Sequence, residues 1–207
     1  MDTLVYSIDD NAENAKTLYV NLTNKCTNAC VFCIRSTVDA IKGKNMWLEN
    51  ENITTKDVIA QFEKFNKPEE VVFCGYGEPL MKLDVLKGVC AYLKQKNIKV
   101  RINTNGIGNI VNNRNILPEI VNLVDEISIS LNAPTEEQYN EISKPTNKKA
   151  YTEMLDFAKK CVENDIKTTL TVVDEHPDYK LDIAACEKIA KDIGANFRVR
   201  KWLNNGY

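Results

Sequence analysis

Cys26, Cys30 and Cys33 fall within eight residues, in the run Lys25-Cys26-Thr27-Asn28-Ala29-Cys30-Val31-Phe32-Cys33, a Cys-x3-Cys-x2-Cys spacing. Thiolates are soft ligands that suit iron–sulfur clusters and zinc. A four-iron cluster normally takes one cysteine per iron. Three thiolates this close can hold three irons and leave the fourth without a protein ligand, an iron reserved for something that binds and reacts. The rival chemistry is structural zinc, which prefers four Cys or His ligands in paired short spacings. The chain offers only Cys74 and His176 as distant extra ligands and has no second Cys-x2-Cys pair, so zinc is the lesser expectation.

Four more polar clusters punctuate the chain: Phe73-Cys74-Gly75-Tyr76-Gly77-Glu78-Pro79-Leu80, Thr104-Asn105-Gly106, Ser130-Leu131-Asn132-Ala133-Pro134 and Val173-Asp174-Glu175-His176-Pro177. Taken singly, the glycine-rich runs read as turns. Taken with the cysteines they offer more. Gly75 and Gly77 permit close backbone approach or positive φ, Glu78 offers a charge-assisted acceptor, and Asn103, Asn105, Ser130 and Asn132 carry donors and acceptors.

Each cluster follows an apolar run that reads as a β-strand. Strands are expected at residues 17–21, 71–73, 98–102, 126–131, 167–173 and 196–200, with residues 4–6 as a short N-terminal edge strand or hairpin. Helices are expected from Thr54 or Thr55, where Thr54-x-x-Asp57 resembles a capping box, and over 82–96, 115–124, 150–163 and 180–193, with a short one capped by Thr135. Gly194 is a natural helix stop. Six strands alternating with helices imply an α/β fold, a parallel sheet covered by helices. A full eight-unit barrel needs about 250 residues, so 207 residues suit a doubly wound open sheet or an incomplete six-unit barrel. In either, chemistry collects at the C-terminal ends of the strands.

The cysteine spacing, with Phe32 before the last cysteine, resembles the cluster motif of the radical SAM superfamily. Gly75-Tyr76-Gly77-Glu78-Pro79 resembles that superfamily's glycine–glutamate motif, and Thr104-Asn105-Gly106 and Ser130-Leu131-Asn132-Ala133 resemble its third and fourth strand ends. The resemblance covers nearly the whole chain and implies a partial (β/α)6 barrel with parallel strands, one radical SAM core domain over 1–207. It implies a [4Fe-4S] cluster on Cys26, Cys30 and Cys33. It also implies S-adenosylmethionine (SAM) held by Gly75, Tyr76, Gly77 and Glu78, with Asn105, Ser130 and Asn132 toward ribose or carboxylate and Phe32 near adenine. Reductive cleavage of SAM would then give a 5′-deoxyadenosyl radical that takes hydrogen from an unidentified peptide, protein or nucleotide-like substrate. An electron donor such as flavodoxin or ferredoxin would be needed. At closer range the chain is similar to the small radical SAM proteins associated with TatD-family nucleases, through residues 19–26, Cys33-Ile34-Arg35, residues 74–79 and Phe197-Arg198-Val199-Arg200; no nuclease activity follows from that. A glycyl-radical-enzyme activase is the alternative, weakened by Ile34-Arg35-Ser36 after the third cysteine. A non-catalytic SAM-binding protein is the alternative of another class.

Composition sets the setting. Charged residues make up 27% and hydrophobic ones 43%, with a net charge of −2 and no sustained basic stretch, so no nucleic-acid tract is expected. No apolar run approaches the ~20 residues of a membrane span, and the N-terminus lacks the pattern of a signal peptide, which points to the cytoplasm. Among the remaining cysteines, Cys90, Cys161 and Cys186 read as small buried hydrophobes in helices. Cys74 reads either as a core residue at a strand end or as a candidate catalytic group facing the barrel. Arg198 and Arg200 alternate on the last strand and share one face; if that face is the interior they are candidates for holding a carboxylate or phosphate. Lys144 before Pro145 has the same ambiguity, and His176 with its acidic neighbours reads as a solvated loop.

Overall fold

The computed structural model describes residues 2–203, so Met1 and residues 204–207, the ends of the expected 1–207 domain, lie outside them. The chain opens with β1 (Val5–Tyr6) and β2 (Thr17–Val20), then a small hairpin of β3 (Ala40–Ile41) and β4 (Lys44–Asn45). Next come α1 (Thr55–Phe62), β5 (Glu70–Phe73), α2 (Leu83–Gln95), β6 (Lys99–Thr104), α3 (Gly108–Asn112), α4 (Leu117–Ile120) and β7 (Glu126–Ser130). The remainder is α5 (Glu136–Ser143), α6 (Ala150–Glu163), β8 (Lys167–Asp174), α7 (Ile183–Ile193) and β9 (Asn196–Lys201).

The main sheet runs β1-β2-β5-β6-β7-β8-β9. Every pairing from β2 to β9 is parallel, and β1 joins antiparallel to β2 as the expected edge strand. The six parallel strands follow one another in chain order, the sequence of a partial barrel.

Alternation along the strands divides the sheet into two unlike faces. Val71, Phe73, Val100, Ile102, Ile127 and Ile129 are fully buried on the helix-covered face. The other face is polar. Its floor is a band of charges at the starts of four strands, with Arg101 two residues further along β6: Glu70 pairs with Arg101 at 3.0 Å, and Glu126 with Lys99 at 2.7 Å and Lys167 at 2.6 Å. Above the floor the inward positions are Asn103, Ser128, Ser130, Thr171, Arg198 and Arg200, a lining for a polar ligand rather than an apolar core.

The helices start where local chemistry directs. The Thr54–Asp57 capping box forms on α1, Thr135 accepts from Gln138 N at the start of α5, and Gly194 ends α7. Two expectations change. The single helix at 115–124 is instead the four-residue α4, with α3 before it, because the chain turns through Asn113 at positive φ between them. The hairpin of β3 and β4, turning at Lys42-Gly43, was not foreseen; its strands of two residues are too short to show a period of two.

Candidate active site

The cysteine loop and the loops after β5, β6 and β7 leave the C-terminal ends of their strands and open onto one cavity of about 1190 Å³, measured out to open solvent; the loop of residues 173–177 after β8 does not reach its lining. Cys26, Cys30 and Cys33 line it from the loop after β2, with Phe32 beside them. Gly75, Tyr76, Gly77 and Glu78 line it from the loop after β5, Asn105 from the end of β6, and Ser130 and Asn132 from the end of β7. Cys74, Arg198 and Arg200 line it too. Cys74 is therefore a cavity residue rather than a packed core residue, and the shared face of the two arginines is the interior.

The cysteine loop is held from three sides. Backbone hydrogen bonds join it to the end of α5 and the residues beyond: Val31 N donates to Ile142 O at 2.9 Å, Ala29 N to Ser143 O at 3.1 Å and Thr146 N to Thr27 O at 2.9 Å. Glu78 N donates to Lys25 O at 2.8 Å, joining it to the glycine-rich loop. Arg35 bridges the same two loops, donating to the carbonyl oxygens of Asn24 at 3.1 Å, Asn28 at 3.2 Å and Tyr76 at 3.3 Å. The role of Arg35 was missed because hydrogen bonds to distant backbone leave no mark in local sequence.

The glycines serve close packing of these loops. Gly75 lies at φ +140°, a conformation open to glycine, and a Cβ there would sit 2.3 Å from Asn21 Oδ1. A Cβ on Gly77 would sit 2.3 Å from the Thr23 carbonyl oxygen. Tyr76 turns its ring into an apolar cluster with Tyr6, Ile41 and Met46, edge-on to Trp47 at 5.0 Å, and its hydroxyl donates to Val38 O.

Glu78 is 3% exposed, and its carboxylate accepts from Thr104 Oγ1 at 2.6 Å, Asn105 N at 2.8 Å and Leu80 N at 3.1 Å. A carboxylate has about four acceptor positions, so Glu78 both braces the ends of β5 and β6 and keeps capacity toward the cavity. Burial pushes its carboxyl above the ordinary value, against the pull of these three donors. Asn105 donates through Nδ2 to Thr27 Oγ1 at 2.9 Å, tying the end of β6 to the cysteine loop. Asn132 donates to Ser143 Oγ at 2.9 Å, while its Oδ1, like that of Asn103, is buried without a hydrogen-bond partner.

Burial pushes the Cys30 thiol up to about 12, with the neighbouring Cys33 and Cys26 adding to it, and burial followed by the Glu78 charge raises that of Cys26. A metal that binds these thiols must displace their protons. Among the described residues, no three Cys, His, Asp or Glu side chains gather as they would around a single ion. Three thiols on one cavity wall, with two lining asparagines whose buried amide oxygens have no partner, fit a cluster together with a polar ligand that carries hydrogen-bond donors.

Cys74 receives a different environment. Its Sγ lies 3.6 Å from Tyr6 Oη, whose ring stacks on Tyr19 at 5.5 Å between centroids, and burial lifts its thiol to about 11. Cys90, Cys161 and Cys186 are fully buried, as expected of small hydrophobes. His176 is not solvated. It is 7% exposed, stacked on Tyr179 at 4.7 Å and edge-on to Trp202 at 4.6 Å, and it does not line the cavity. Lys144 is an exposed left-handed residue after α5, also away from the cavity lining.

Comparison with known proteins agrees with this geometry. The family model described as Radical SAM superfamily matches residues 20–193. No curated protein sequence matches the chain. Solved structures share the fold. TYW1 with a lysine-pyruvate adduct bound superposes with a TM-score of 0.64 at 15% identity, covering 91% of this chain and 65% of that one. Streptococcus suis SuiB bound to S-adenosylmethionine gives 0.67 at 17% identity, covering 93% and 42%. The FeFe-hydrogenase maturase HydG from Carboxydothermus hydrogenoformans gives 0.59 at 16% identity, covering 94% and 47%. The chain spans less than two thirds of the length of each of these proteins. Among the described residues, no helix is long and apolar enough to cross a membrane.

Proposed function

We propose a function from one premise: the chain belongs to the radical SAM superfamily. Members of that superfamily use a [4Fe-4S] cluster and S-adenosylmethionine, and this chain is a radical SAM enzyme whose substrate is unidentified. Cys26, Cys30 and Cys33 would hold the cluster. The loop of Gly75, Tyr76, Gly77 and Glu78, with Asn105, Ser130 and Asn132, holds SAM, and Phe32 lies toward its adenine. With cluster and SAM bound and one electron delivered by an external donor, the site would supply reductive cleavage of SAM and hydrogen abstraction from the substrate.

The chain's own residues do the positioning. Arg35 and the backbone bonds to residues 142–146 keep the cysteine loop in place against the glycine-rich loop. Glu78 offers a carboxylate toward an ammonium group while bracing two strand ends. The buried, unpartnered amide oxygens of Asn103 and Asn132 leave acceptor capacity beside the cavity for a polar ligand. Phe32 and Ile34 present apolar surface beside the cysteines, which limits water there. One radical SAM core domain, an electron donor of the flavodoxin or ferredoxin type and a cytoplasmic setting complete the reading. The narrower likeness to the TatD-associated radical SAM proteins fits the residues around Cys33 and β9 and names no substrate.

The observation that carries this reading is the meeting of the cysteine triad and three later strand ends at one cavity. Anaerobic reconstitution tests it, and should yield about four irons and four sulfides per chain, with Cys26→Ala, Cys30→Ala and Cys33→Ala each abolishing the cluster. Reduction with SAM should then release 5′-deoxyadenosine. A reconstituted protein that takes up one zinc and no cluster overturns the reading.

A further inference from the structure

We propose that the wall of the cavity formed by β9 is an anion subsite, in which Arg198 and Arg200 hold a carboxylate or phosphate of a small anionic substrate. This deepens the radical SAM reading of the same cavity and rests on it.

Three observations carry it. The first is register. Thr171 pairs with both Ser130 and Arg198, and Val173 pairs with Arg200, so Arg198 lies in one row with two hydroxyl residues and Arg200 one layer nearer the rim. Two residues of extended strand put the arginines about 7 Å apart along β9, with both side chains inward. The second is charge. Among the described residues lining the cavity, the charged ones are Glu78, Arg198 and Arg200. Glu78 stands at the end of β5 with its carboxylate already braced by three donors. The third arginine of the inner face, Arg101, is paired with Glu70 at the floor. The β9 wall therefore brings two guanidinium groups to the cavity. The third is the company the arginines keep. Asn103, Ser128, Ser130 and Thr171 make the surrounding surface polar and uncharged, with the Asn103 oxygen buried and unsatisfied. A guanidinium presents a planar fork that matches carboxylate and phosphate oxygens.

In strand order the arginines lie away from the cysteine and glycine-rich loops, although the charge of Arg200 still reaches Cys74. The cysteines follow β2 and Glu78 follows β5, while β9 closes the far end of the strand order.

The test uses reconstituted protein carrying its cluster and saturated with SAM, titrated calorimetrically with inorganic phosphate and with pyrophosphate. Arg198→Gln and Arg200→Gln are compared with Lys201→Gln, which removes the same charge from the same strand at a residue paired outside the cavity with Glu175. Wild type should bind pyrophosphate. Each arginine variant should lose at least about tenfold in affinity, and Lys201→Gln should stay within about twofold. Arg198→Lys should recover part of the loss, which excludes general misfolding as its cause. SAM affinity, titrated separately, should stay within about twofold in every variant. Equal pyrophosphate affinity in all variants, or no binding to wild type, overturns the proposal. So does a tenfold loss of SAM affinity in Arg198→Gln or Arg200→Gln, because the arginines would then serve the carboxylate of SAM. If the cluster-bearing wild type fails to bind SAM, the radical SAM reading fails instead, and the pyrophosphate titration still reports on the arginines.

Discussion

Replacing Arg35 with methionine should loosen the cysteine loop without altering any thiol. The guanidinium makes three hydrogen bonds to backbone carbonyls, at 3.1, 3.2 and 3.3 Å, spanning Asn24, Asn28 and Tyr76. Methionine keeps much of the length and none of the donors. A net contribution of ~0.5–1.5 kcal/mol per hydrogen bond is typical. These three are part-buried and at the long end of hydrogen-bond lengths, so ~0.7 kcal/mol each applies, and their loss comes to about 2 kcal/mol. Opening of the loop then becomes roughly 30-fold more populated. The assay is anaerobic release of iron from reconstituted protein to an excess of chelator. When opening is fast and chelation slow, the release rate follows the open population, so Arg35→Met should lose iron about 10- to 30-fold faster than wild type. Arg35→Lys, which keeps a charge and one donor group, should fall between them. The melting temperature of the cluster-free protein should drop by about 4–8 °C if the loop unfolds with the rest of the chain. Wild-type rates of iron release in Arg35→Met would refute the reasoning, since the bridge would then contribute nothing to holding the loop.

Gly77→Ala should cost about 2–3 kcal/mol in urea unfolding and weaken SAM binding, because its Cβ would meet the Thr23 carbonyl oxygen at 2.3 Å and that of Lys25 at 2.5 Å. Thr54→Ala should lose about 1 kcal/mol, read as a lower urea midpoint, through the capping box on α1. Stability should also fall at alkaline pH. Burial raises the Cys161 thiol from 9.0 to about 12, so the folded state holds that proton more tightly than the unfolded chain. The stabilisation is complete below pH 9 and is lost as pH rises toward 12, at up to ~1.4 kcal/mol per pH unit. Urea unfolding of Cys161→Ala over pH 9–11 should show a shallower decline than wild type, and parallel curves would contradict the assignment.

The amino-acid sequence by itself determined the features that depend on near neighbours. Three thiols in eight residues define a cluster motif wherever the chain places them. The alternation of short apolar strands with helical stripes made a parallel sheet legible, and Thr54, Thr135 and Gly194 marked helix ends because caps act over three or four residues. The rule that loops at strand C-terminal ends share one rim was enough to gather Glu78, Asn105, Ser130 and Asn132 with the cysteines. Only the tertiary structure decided which face each strand turns inward. A period of two puts Arg198 and Arg200 together but is silent on whether they meet solvent or a cavity; that depends on which face α7 and the other helices cover. Cys74 moved from strand-end core to cavity wall for the same reason. His176 left the solvent because Tyr179 and Trp202, distant from each other in sequence, close on both sides of its ring. Arg35 acquired its role across 41 residues of chain from Tyr76. Such contacts form only once the sheet has brought distant backbone together, so no local pattern of residue types could have announced them.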